Sequence, residues 1–89
     1  MSWTVRFTSK AAKQVKTLQK SHRDALTLLV REMQLTGPVQ GTWPNYSKLG
    51  ADTHHCHLAH KWVACWRVVD KEIRLIEVYY AGSRENAPY

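Results

Sequence analysis

A chain of 89 residues, 44% of them apolar and 22% charged, has the material for one hydrophobic core and excludes two independent ones, so residues 1–89 are read as a single domain. No run approaches the roughly 18 apolar residues of a membrane helix, and MSWTVRF has no basic segment followed by an apolar stretch; a soluble, unexported, cytoplasmic protein is expected. A net charge of +6 favours polyanions, nucleic acid foremost, without separating RNA from DNA or anionic lipid.

In chain order, Trp3-Thr4-Val5-Arg6-Phe7 alternates apolar and polar side chains and predicts a first strand. Ser9 opens a helix to about Leu18 whose apolar side is Ala12, Val15 and Leu18, with Lys10, Lys13, Lys16 and Lys20 around the rest. Ser21 with Asp24 resembles a capping box and predicts a second helix from about His22 to Leu35, carrying Ala25, Leu28, Leu29, Glu32 and Met33. The short connection makes the two an antiparallel hairpin, ended by Gly37-Pro38.

Residues 36–50, TGPVQGTWPNYSKLG, hold three of the four glycines and two of the three prolines and read as a loop. Three antiparallel strands follow, His54 to Leu58, Trp62 to Val69 and Ile73 to Tyr80, separated by polar turns such as Asp70-Lys71-Glu72. The first strand needs a later one beside it to satisfy its pairing groups. The expected fold is α+β, with a helical hairpin packed on one face of a single sheet.

Alternation puts His55 and His57 on one strand face and Cys56 and Leu58 on the other. With Cys56 and Leu58 toward the helices, two imidazoles stand on an exposed sheet face, where they can act as acid and base near neutral pH, as phosphodiester transfer requires. The same alternation keeps His54 and Cys56 from joining them on one metal ion, and no C-x-x-C pair is present, so neither metal nor small-molecule cofactor is expected. Cys56 and Cys65 read as small buried hydrophobes. Arg84, after Gly82, offers a fork of donors to a phosphate, and Tyr89 can stack on a base or donate a proton. Trp43, Tyr46 and Lys48 mix aromatic surface with positive charge, as single-strand binders do, although loop aromatics also plug the edge of a core.

The strand-helix-helix-sheet order, Lys48-Leu49, the His55-Cys56-His57-Leu58 strand, the Ala64-Cys65-Trp66-Arg67-Val68-Val69-Asp70 strand and Gly82-Ser83-Arg84-Glu85 together resemble the RelE/ParE superfamily of toxins over nearly the whole chain. The resemblance implies the toxin of a type II toxin-antitoxin system, an endoribonuclease that cleaves mRNA in the ribosomal A site without a metal, inhibits translation and is silenced by a cognate antitoxin. RelE-like toxins commonly have lysines at the positions of His55 and His57, an arginine at that of Arg84 and a tyrosine near Tyr89; histidine at the first two is the pattern of HigB and YoeB. Val63 stands where the family often has an arginine, and Arg67, on the same strand face, is the nearest cation. Two other readings stay open on the same fold: a ParE-like toxin acting on DNA gyrase without nuclease activity, and a non-catalytic RNA-binding module.

Overall fold

In the computed structural model, which describes residues 2–89, the expected alternation produces strand β1 (Thr4–Phe7), whose Val5 and Phe7 pack against the core. Thr8 caps the next element, helix α1 (Ser9–Thr17), its hydroxyl accepting from the Ala11 amide at 3.0 Å. The inward face of α1 differs from the expected one: Ala11 is buried, Val15 half-buried and Leu18 buried, whereas Ala12 is exposed. Spacings of four and three keep side chains on a narrower arc of a helix than two successive threes, and the sheet takes the narrower arc.

Helix α2 (Lys20–Thr36) starts earlier than expected, and the Ser21–Asp24 capping box does not form. Leu18 and Gln19 are both extended and make the whole connection, so Gln19 is the N-cap, without a side-chain bond, and Ser21 lies inside the first turn. Asp24 instead pairs with Lys20 at 2.9 Å. The buried positions of α2 are His22, Leu26, Leu29 and Met33, while Leu28 and Leu35 of the expected apolar series face outward. Gly37 ends the helix as expected, at φ 95°, its amide donating to the Met33 carbonyl.

The segment expected to be loop contains a further strand, β2 (Ser47–Lys48), too short to show any period. It is followed by β3 (Thr53–Ala59), β4 (Trp62–Asp70), β5 (Leu75–Ser83) and a single 3₁₀ turn, Arg84–Asn86. The sheet therefore has five strands in the order β1-β5-β4-β3-β2, antiparallel except for β1, which lies parallel to β5.

Both helices pack on the sheet, and the main core joins Ala11, Leu18, Leu26, Leu29 and Met33 to Cys56, Trp66, Ile76 and Val78. A smaller cluster, Val63, Cys65 and Tyr80, lies on the opposite sheet face under Leu49 and Ala87. Burial pushes the thiols of Cys56 and Cys65 up to about 12, so both are uncharged apolar residues, as expected, and they are unpaired. Among the described residues no helix is long and apolar enough to cross a membrane.

Candidate active site

Strand β3 turns Cys56 and Leu58 toward the helices and His55 and His57 to the other face, as alternation requires. The histidine face is not open, however: His55 is 8% exposed and His57 7%. Two segments close over it. On one side lies the stretch leading into β2, where Ser47 Oγ is 3.0 Å from His55 Nδ1 and Asn45 Nδ2 is 3.4 Å from His57 Nδ1. Asn45 takes φ 53°, a left-handed conformation that asparagine tolerates, and the His57 amide donates to the Pro44 carbonyl. On the other side the tail returns across the sheet, bringing the Tyr89 ring to 4.6 Å from that of His55. Strand periodicity assigns a face; it carries no information about which distant segment folds over it.

The two imidazole rings are 6.0 Å apart. Each Nδ1 has a neighbour from the β2 segment, which leaves Nε2 of both rings without a protein hydrogen bond among the described residues, and neither Nε2 is sealed off from solvent. Burial, with the charge of His57 acting the same way, pushes the His55 imidazole below its ordinary value against the opposing hydrogen bond to Ser47. His55 is therefore neutral at pH 7. Burial raises the Tyr89 phenol, Cys65 and Tyr80 add to the rise, and the Arg84 guanidinium opposes it. Tyr89 is accordingly protonated and within electrostatic reach of Arg84. A neutral imidazole, a protonated phenol and a guanidinium together make an acid-base and anion-stabilising set.

The remaining sequence-predicted residues lie elsewhere. Lys48 pairs in register with His54, on the opposite strand face from His55 and His57. Tyr46 hydrogen-bonds His54 Nδ1 at 2.7 Å and packs against the main core, and Trp43 donates its indole N–H to Glu32 of α2. These loop aromatics are turned toward the core that they plug. Arg67 shares the face of Val63 but is occupied: its Nη2 is 2.6 Å from Glu77 Oε1 and its guanidinium lies over the Tyr79 ring at 4.9 Å. Glu77 also binds Arg6 at 2.9 Å, and the two cations hold its carboxyl below the usual range, so this cluster clamps β1, β5 and β4 together.

Arg84 is exposed on the 3₁₀ turn, its amide donating to the Lys61 carbonyl, and its side chain pairs with no acid among the described residues. Sequence reasoning missed Asn45 and Ser47. They lie twelve residues before His57 and eight before His55, and they meet the rings only through the pairing of β2 with β3, for which the sequence carries no local signal.

No family model matches the sequence, and no curated protein sequence matches it either. Solved structures do match. A chain of the E. coli DinJ-YafQ toxin-antitoxin complex superposes with a TM-score of 0.77 over 100% of both chains at 16% identity. A chain of the archaeal RelE-RelB complex from Pyrococcus horikoshii gives 0.75 over 98% of this chain and 100% of the other, at 13% identity. The YoeB/ParE toxin from Agrobacterium tumefaciens gives 0.74 over 90% and 96%, at 12% identity. The resemblance read from the sequence thus holds at the level of fold: the whole chain has the architecture of RelE/ParE toxins.

Proposed function

We propose that this chain, which has the RelE/ParE toxin fold, is the toxin of a toxin-antitoxin pair and a metal-independent endoribonuclease that cuts mRNA, with the ribosome as partner during cleavage. The observation that carries the reading is the convergence of His55, His57 and Tyr89 on the sheet face opposite the helices, with Arg84 in the same tail as Tyr89. A gyrase poison or a plain RNA binder has no use for a neutral imidazole beside a protonated phenol.

In the proposed mechanism neutral His55 takes the proton of a ribose 2′-hydroxyl, whose oxygen attacks the adjacent phosphorus. The bond from phosphorus to the 5′-oxygen breaks, and Tyr89 returns a proton to that oxygen. The products are a cyclic 2′,3′-phosphate and a 5′-hydroxyl. Arg84 and His57 donate to the non-bridging oxygens as charge builds on them, and the basic chain draws the polyanion in. Lys48, Arg67, Trp43 and Tyr46 have no step in it; the first adds positive charge at the sheet edge, and the other three hold the scaffold. An acidic antitoxin, reducing the net charge of +6, is the expected protein partner.

Primer extension on a defined mRNA, with and without translating ribosomes, tests the reading. Discrete cuts are expected from the wild type and none above background from Arg84→Ala. Supercoiling inhibition in a gyrase assay, with intact mRNA throughout, would establish the ParE-like reading instead.

The acid limb gives a second test. A base works only when unprotonated, and the His55 value is depressed, so the single-turnover cleavage rate, followed from pH 8.5 downward, should have the midpoint of its acid limb below about 6.5, the ordinary imidazole value. The raised Tyr89 value keeps the acid protonated throughout that range. A midpoint at or above 6.5 would remove His55 from the role of base.

A further inference from the structure

Trp62, the first residue of β4, is paired in register with Ser83, the last residue of β5 before the turn that carries Arg84. Its ring is half-buried, and one side is backed by the buried His22 of α2, 5.0 Å between centroids. Gln19 fixes that imidazole from Nε2 at 3.2 Å, so the indole rests on a held surface. Unlike Trp43 and Trp66, which bond their indole N–H inside the protein, Trp62 makes no such bond among the described residues.

Two recesses meet at this ring. One, of about 420 Å³, lies between α1 and the end of β5 and is lined by Lys10, Gln14, Thr17, Trp62, Ser83 and Asn86 among others. The other, of about 200 Å³, lies toward the β3-β4 turn and is bounded by His60, Lys61, Trp62, Arg84 and Glu85. Lys10, Lys61 and Arg84 form no ion pair among the described residues, and Glu85 is the one carboxylate along the two walls. The larger recess falls within the usual range of about 300–1,000 Å³ for small-ligand pockets.

A partly exposed indole flanked by unpaired cations, with hydroxyl and amide side chains around it, matches what a nucleotide needs: a flat apolar face for the base and positive charge for its phosphates. Lipid headgroups would use the cations but leave the ring unexplained. The cleft also adjoins the candidate active site along the chain, because Arg84, which lines the smaller recess, opens the tail whose Tyr89 packs on His55.

We infer that the Trp62 cleft is a second RNA subsite, in which a base flanking the cut bond stacks on Trp62 while Lys10 and Lys61 bind the neighbouring phosphates. The inference rests on the ribonuclease reading for its substrate, and adds a path: RNA leaves the histidine face past Arg84 and turns around the end of the sheet toward α1. Sequence preference at one position beside the cut would then be set by stacking on this ring, with purines favoured for their larger face.

The test is equilibrium binding of a fluorescein-labelled hexanucleotide of 2′-O-methyl RNA, which has no free 2′-hydroxyl to attack its phosphates, followed by anisotropy. Trp62→Ala should weaken binding about 5- to 100-fold, and Trp62→Phe should keep most of the affinity. Lys61→Ala and Lys10→Ala should each weaken it severalfold and lower the salt slope by about one. Should Trp62→Ala not fold, as judged by circular dichroism, the phenylalanine and lysine variants carry the test. Unchanged affinity in a folded Trp62→Ala, or in both lysine variants, overturns the subsite, as does a wild type that cuts RNA but binds the hexanucleotide no better than Trp62→Ala. A wild type that binds through Trp62 yet cuts nothing retains the subsite and removes the ribonuclease reading. A wild type that neither binds nor cuts removes both.

Discussion

Replacing His55 by alanine should lower cleavage by about 10²- to 10⁴-fold, the usual contribution of a positioned general base, while the domain still folds. His57→Ala should cost about 10²- to 10³-fold, as loss of a donor to developing negative charge does. Both are distinguishable from damage to the fold. The rings stand on the face away from the main core, so truncating either leaves that core intact, and the unfolding curves separate any loss of local packing from loss of chemistry. The pair should also be non-additive: once the base is gone, the transition state that His57 stabilises is no longer reached by that route, and the double variant should resemble His55→Ala. Single-turnover cleavage, with unfolding curves on the same preparations, decides it. Falls of less than about tenfold in both variants would return the histidines to a structural role.

His55→Gln sharpens the comparison. Glutamine can keep a hydrogen bond toward Ser47 and fill part of the volume but cannot shuttle a proton near neutral pH, so it should be as inactive as alanine. If glutamine restored activity, positioning and not proton transfer would be the function of His55.

How far the sequence reached depended on the range of the interaction that decides each feature. Local period placed β1, β3 and β4, and β5 with a shift, since Ile73 and Arg74 belong to the turn and the strand runs on through Ser83; alternation alone put Cys56 inward and His57 on the other face. Helix phase was less legible. Ala11 and Ala12 are chemically identical, as are Leu26 and Leu28, hence which of each pair is buried is fixed by the direction from which the sheet approaches. The start of α2 was misplaced because Ser21 is a good cap in isolation, yet Leu18 must be drawn into the core, and that makes the connection two residues long.

The candidate site was half legible. Residues His55 and His57 carry their chemistry openly, and Tyr89 and Arg84 stand out at the end of a strand. What closes the site is non-local. Strand β2 is two residues long, and its register against β3 brings Ser47 to His55; no pattern in TGPVQGTWPNYSKLG encodes that pairing. Arg67 had its partner hidden for a similar reason. Its face was right, but its partner Glu77 lies on another strand, and a carboxylate already held by Arg6 is a stronger attraction for a guanidinium than open solvent.

The largest effect on stability should come from Trp66→Ala. Trp66 is 0% exposed and the largest of the fully buried side chains. It is stacked on His54, 5.9 Å between centroids and 6° between planes, and touches Tyr46 at 6.1 Å, while its indole N–H donates to the Pro38 carbonyl at 2.9 Å. Truncation leaves a cavity and an unpaired carbonyl, together about 3–5 kcal/mol on the usual scale for large aromatics. A domain of this size has roughly 5–10 kcal/mol in all, so the variant should be largely unfolded at growth temperature or, in urea, lose about 2–4 M from its midpoint. Trp66→Phe keeps most of the stack and loses the bond to Pro38, and should cost about 1–2 kcal/mol. A midpoint shift below about 1 M for Trp66→Ala would mean that the loop does not depend on this ring. Because Trp66, Tyr46 and His54 fix the segment that carries Asn45 and Ser47, the phenylalanine variant also reports on the site: it should fold, yet cleave more slowly than wild type, since the neighbours of His55 and His57 are then held less firmly.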